Sequence, residues 1–314
     1  MIMKAFEDQL VYRHLNSPWI KIANSPQQWL GGLLFITIFV PTMSSAFVSL
    51  EWLANGWFVA VLLFAAISFF SVYIIAASRR EALVKAFARE NGLGPLHPHD
   101  ALTLVPSSIR HRGHRRAASN AYTISVGERT IAVFDYTFTE SHGRSSRTYS
   151  FGILVFMMRK PYPHLFLDGR VNGINAAYGK SQRISLEGDF DKHFHLYAPD
   201  QGQVAGLSII APDMMQALVD AGRPYDVEIE GRRIGFITNK TLYSEGALRH
   251  VLRFLQKFGE EIDHKELSWQ PVYRADGKPM KLARRNYARV IVAILAVAIL
   301  LQILLQIFYY YYVA

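Results

Sequence analysis

Three uncharged, predominantly apolar stretches occupy residues 30–48, 57–77 and 290–312, and a long mixed segment separates the second from the third. Each run has about the length of a bilayer crossing, roughly 20 residues at 1.5 Å rise per residue. The pattern predicts three transmembrane helices. Ser25-Pro26 supplies an N-cap and a proline for the first turn of the first helix, and Asn55-Gly56 a turn between the first two. Trp19, Trp29 and the run Tyr309 to Tyr312 are aromatic residues of the kind that sit at an interface.

Between the second and third runs the periodicity changes. Residues 81–89 are mostly helix formers and continue the second run to Asn91-Gly92, a C-cap pair followed by Pro95. From residue 102 the pattern turns to strands. Residues 122–126 and 130–134 flank Gly127-Glu128 as a hairpin, 139–147 read as a polar loop, and 149–158 form a nearly continuous apolar run that predicts a central strand. Further strands are expected at 183–186 and 193–198, a short helix at 212–218, and a hairpin of 226–230 with 233–238 around Gly231-Arg232. Ser244 caps a last helix whose Leu248, Val251, Leu252, Leu255 and Ile262 form one apolar stripe.

The fold class expected is an α+β cytoplasmic domain, an antiparallel sheet with a few helices, anchored by three transmembrane α-helices. The organisation reads as an N-terminal segment over 1–28 with a short interfacial helix carrying Phe6, Leu10 and Leu15, a membrane hairpin over 29–78 and a juxtamembrane helix over 79–95. The α+β domain follows over 96–275, its internal boundary near 169–179, then a basic linker over 276–289 and the C-terminal helix over 290–314.

Charge supplies orientation and partners. Lys and Arg number 34 against 25 Asp and Glu, a net charge of +9 carried by the central segment. Arg79 and Arg80 follow the second run, and Arg284, Arg285 and Arg289 precede the third. The positive-inside rule then places the N-terminus and the large domain in the cytoplasm and the C-terminus outside, in a multi-pass protein of the bacterial inner membrane. Arg79, Arg80, Arg112, Arg115, Arg116, Arg284 and Arg285 are the expected contacts to anionic membrane lipid, each worth about 1 kcal/mol near a charged surface. Nucleic acid is the disfavoured acidic partner. With no cysteine in the chain, disulfides, thiolate nucleophiles and cysteine-ligated metals are excluded.

Candidate chemistry is sparse. His193 and His195, two apart with Asp189 and Asp191 beside them, are the first catalytic candidates, yet the same spacing describes the solvent face of an amphipathic strand. Gly179-Lys180-Ser181 lacks the earlier glycine of a phosphate loop, because position 174 is Ile174. No zincin, hydrolase-elbow or kinase signature occurs, so no enzyme class, metal or cofactor is indicated. The predicted spans hold no ionisable residue, which disfavours an ion or proton path. Gln302 and Gln306, four apart, are amides for helix–helix packing, either within the chain or in a homo-oligomer.

Residues 186–200, Leu-Glu-Gly-Asp-Phe-Asp-Lys-His-Phe-His-Leu-Tyr-Ala-Pro-Asp, with Ala205, the segment Ile210 to Met215 and the Asp226-Val-Glu-Ile229 strand, resemble a family of bacterial membrane-associated proteins that contain a cytoplasmic domain of unknown function. The resemblance covers roughly residues 145–260. It implies a bacterial origin and brings no activity, cofactor or catalytic residue. The function expected is binding of an unknown protein partner or of anionic lipid, as a membrane-surface adaptor or scaffold. A membrane-tethered enzyme on a lipid or envelope precursor is the first alternative, and an oligomeric channel or transporter subunit the second.

Overall fold

A computed structural model describes residues 7–25, 57–126, 129–142, 145–172, 174, 178–186, 188–198 and 209–268; residues 57–62, 65, 126, 142, 180 and 263–268 are described in backbone only. A short helix α1 (Pro18–Asn24) precedes the 34-residue α2 (Trp57–Glu90). Next come β1 (Gly94–Pro95), α3 (Pro98–Leu104), α4 (Ser107–Arg110), β2 (His114–Val126), β3 (Arg129–His142) and β4 (Ser145–Gly169). A 3₁₀ turn, Lys180–Gln182, leads into β5 (Arg183–Ile184), α5 (Phe190–His193) and β6 (Phe194–Tyr197). The chain continues with α6 (Pro212–Ala217), a π turn over Leu218–Gly222, β7 (Asp226–Thr238) and α7 (Glu245–Ser268).

The strands make one antiparallel sheet in the order β1-β2-β3-β4-β6-β5, with β7 also paired to β4. The 25-residue β4 organises it. Its first half lies between β3 and the end of β7, and its second half between β6 and the start of β7. The central strand expected at 149–158 lies within β4, and from Phe151 to Phe156 both of its faces are buried. Leu154 and Phe156 enter one core with α2, α6, α7 and the N-terminal Leu10, Tyr12 and Leu15. Phe151, Ile153 and Val155 enter a second core with Ala101 of α3, Val105 just after it and Ile109 of α4. That alternation is the two-residue period of a strand.

The 226–238 segment departs from expectation. Instead of a hairpin around Gly231-Arg232 it is one strand along β4, with register shifts between Met157 and Leu165. Gly231 lies at φ +58°, which suits a bulge as well as a turn. The expected polar loop at 139–147 is also strand on both sides, since β3 and β4 stay paired out to His142 and Ser145.

The membrane expectation is corrected. Among the described residues no helix is long and apolar enough to cross a membrane. The second apolar run lies in α2, which continues through Arg79, Arg80 and Glu81 to Glu90. The other two runs, with Arg284, Arg285, Gln302 and Gln306, lie outside the described residues. Three transmembrane helices are thus not shown, and the membrane assignment, the inner-membrane location and the orientation built on them are withdrawn.

The base of α2 is held tightly. Its C-terminus follows the expected Asn91-Gly92 signal, with Gly92 at φ +64° and Leu93 N–H returning to the Ala88 carbonyl at 2.8 Å. Asn91 exchanges hydrogen bonds with the backbone of Val11, and Arg13 meets Glu90 at 2.6 Å.

Candidate functional site

Strand alternation sorts one end of the sheet into an apolar face and a chemically dense one. Leu165 and Leu167 of β4, Val227 and Ile229 of β7, and Phe194 and Leu196 of β6 all enter the main core. Their neighbours His164, Phe166, Asp168, Asp226, Glu228, His195 and Tyr197 therefore project from the opposite face. Tyr178, from the segment after β4, closes over them and packs its ring 5.1 Å from Phe166 and 6.4 Å from Tyr197.

Glu228 is buried, and both of its oxygens are used. Oε1 accepts from His164 Nε2 at 2.7 Å and from the Tyr178 hydroxyl at 2.5 Å, while Oε2 accepts from the Ser108 backbone N–H at 2.9 Å. Burial alone would raise its pKa, but these hydrogen bonds and the nearby imidazole win and hold it below the usual glutamate value. The same carboxylate pushes the Tyr178 hydroxyl upward, adding to burial.

Asp226 is wholly buried and differently served. Its Oδ1 accepts from Gly169 N–H at 2.8 Å and from Asn172 Nδ2 at 2.5 Å, and its Oδ2 has no partner. Burial, then the adjacent Asp168, pushes its pKa well up. Asp168 also leaves one buried oxygen, Oδ1, without a partner, and burial pushes it to about 6 against the pull of Arg170 and Arg183. His195 Nδ1 lies 3.7 Å from Asp168. Burial, with Arg183 and Arg170, holds that imidazole below its ordinary value, so it is neutral at pH 7.

Beside this cluster, a shallow cleft between the α3–α4 corner and the sheet is lined by Pro106, Arg110, Glu228, Glu230, Arg233 and Gly235. Its charges answer one another: Arg233 meets Glu230 at 2.9 Å and Arg110 meets it at 3.7 Å. Among the described residues no group of three or more histidine and acidic side chains could hold a metal ion.

The four residues named from the sequence are placed in different settings. His193 ends α5 and His195 lies in β6, so they do not share a strand face. Asp191 is a structural acceptor for Ser185 Oγ at 2.7 Å, Leu186 N–H at 3.2 Å and Arg183 at 3.2 Å. Asp189 pairs with Lys192 at the surface. Only His195 reaches the buried cluster. The residues that matter there, Asp168, Asp226, Glu228, His164 and Tyr178, come together through strand register, and no local spacing announces them.

The arginines divide likewise. Arg80 turns inward to Asp135 at 2.8 Å, Thr241 Oγ1 at 2.7 Å and Asn24 Oδ1 at 2.9 Å. Asn120, at φ 48° in a bulge of β2, completes this node with a 2.9 Å bond to Asp135. Arg112 pairs with Glu140 at 3.4 Å, and Arg79 lies 4.6 Å over the Trp19 ring. Arg115 and Arg116 stay exposed, Arg116 bonding the Arg110 carbonyl.

The surface holds one further feature. Leu63, Phe64, Ile67, Phe70, Val72, Tyr73, Ile74 and Ile75 of α2 are all exposed, Phe64 by 74%. Elsewhere among the described residues the large apolar side chains left exposed are Val11, Met157 and Val171. Leu63, Ile67, Phe70 and Ile74 recur at three- and four-residue spacing and so share one stripe. The Ser71 hydroxyl within that stretch is turned back to the Ile67 carbonyl at 2.8 Å, leaving the surface apolar.

No protein-family model matches the chain. No curated protein matches it either. Among solved structures it is similar to the mycobacterial trehalose monomycolate transport factor A, TtfA, with 10% identity and a TM-score of 0.43 over 57% of this chain and 92% of that one. A likeness at that level carries no argument about what this chain does.

Proposed function

We propose that the chain acts by binding, as an adaptor or scaffold, and that the exposed apolar stretch of α2 is its docking surface for a protein partner. The supporting observation is the concentration of exposed large apolar side chains between Leu63 and Ile75. Contiguous apolar patches on a folded surface mark places where another molecule sits. A stripe with helical spacing suits an apolar helix, packed ridge into groove at 8–10 Å. Arg80 and Arg112 give less support to contact with acidic lipid, because each already faces a carboxylate.

The test is site-specific photocrosslinking of the full chain in its host. A photoreactive residue replaces Phe64, Ile67, Phe70 or Ile74 in turn, with the core residue Val84 as control. Discrete protein adducts at the four positions and none at Val84 are expected. Adducts with lipid alone, or no adduct at the four, overturn the reading.

A further inference from the structure

We propose that Asp168 and Asp226 share a single proton across the β4–β7 pair, and that losing it as the pH rises weakens this end of the sheet. The geometry begins with register. Leu167 faces Val227, so the next pair along the antiparallel ladder is Asp168 with Asp226. Leu167 and Val227 both enter the main core, which turns the two carboxyls to the same opposite face. Asp226 is wholly enclosed and Asp168 is 6% exposed.

Each carboxyl keeps one oxygen with no partner, Oδ1 of Asp168 and Oδ2 of Asp226. Unpartnered oxygens on two facing buried carboxyls are what one shared proton would serve. Two like charges so placed cannot both be held without water, and one of such a pair stays protonated. Apolar strand neighbours at directly opposed positions are the ordinary choice, because like charges there destabilise.

Among the described residues no positively charged side chain bonds either unpartnered oxygen. On β4 and its continuation Arg170 acts on Asp168, and Arg183 acts from β5. On β6 stand His195, neutral at pH 7, and Tyr197. On β7 Glu228 adds a further negative charge, answered by His164 and Tyr178 rather than by the pair. Asn172 and the Gly169 N–H donate to Asp226 Oδ1 only.

The direction with pH follows. Both carboxyls are raised in the folded chain, Asp168 to about 6, so the folded state holds protons that the unfolded chain has already released. Stability is therefore highest in mild acid and falls as the pH rises above the unfolded carboxylate value through the folded one. This slope is opposite to that of a salt-bridged aspartate.

The experiment uses the full chain and Asp226→Asn, with Asp168→Asn as second variant. An amide at 226 still accepts from Gly169 and Asn172 through its oxygen, and its nitrogen donates toward Asp168. The melting temperature of the wild type should fall between about pH 5 and pH 8, and that of D226N should fall less. At pH 8 the variant should melt higher by roughly 3 °C or more. Amide exchange at Gly169, Val227 and His195 should quicken with pH, beyond its intrinsic rise, in the wild type alone. An infrared carboxylic-acid band persisting at neutral pH and lost in either variant is the direct signature. A D226N slope equal to wild type, or no such band at pH 7, overturns the proposal. If D226N does not fold, D168N is read by the same slope and band.

Discussion

At the scale of single residues, the carboxylates of this chain are divided by what they accept. Asp135 is bound by Arg80, Asn120 and Thr241, and its node joins α1, α2, β2, β3 and the segment after β7. Removing one partner strands the other in a site with little water, which costs on the order of 3 kcal/mol. Arg80→Met, which keeps the aliphatic stem, is expected to lower the unfolding free energy by about that much. Arg80→Met with Asp135→Asn should cost less than the sum of the two single changes, as urea unfolding will measure. Glu228 behaves in the opposite sense to Asp226. Its lowered pKa means a contribution present above the unfolded carboxylate value and lost as pH falls through the folded one. Glu228→Gln should therefore flatten the acid side of the stability profile and cost about 2 kcal/mol at pH 7. The sequence points to Asp189, Asp191, His193 and His195 because they are neighbours along the chain. Asp168 and Asp226 are neighbours only through β4–β7 register, which no short window contains.

At the scale of elements, signals that act within a few residues were legible. The end of α2 at Asn91-Gly92 follows from the left-handed backbone at Gly92, and Gly92→Ala is expected to cost about 1 kcal/mol in thermal unfolding. The apolar run of β4 marked a strand with both faces covered, and the α7 stripe of Leu248, Val251, Leu252, Leu255 and Ile262 is buried as its spacing required. Gly231 misled for a physical reason. A glycine of positive φ serves a turn or a bulge, and only the partner strand decides between them. The hidden length of β3 and β4 has a similar origin, since their polar ends over 140–142 and 145–148 are held by pairing with each other.

At the scale of the whole molecule, the main core closes around aromatic rings drawn from distant segments. Phe236 lies 5.3 Å from both Phe254 and Phe258 and 6.0 Å from Phe156. Phe236→Ala should cost about 4 kcal/mol and lower the melting temperature by several degrees. Composition and apolar runs suggested an anchored domain; the α+β sheet was legible, while the span count was not carried by the described residues. Apolar length has no unique cause, because a surface for another helix asks for the same residues. The continuity of α2 has a mechanical consequence. With no break between Phe64 and Arg80, the helix is a lever about 24 Å long at 1.5 Å per residue. Its fulcrum is the Arg80–Asp135 node, so a sideways pull at the outer end arrives at β3 and the Thr241 segment as torque.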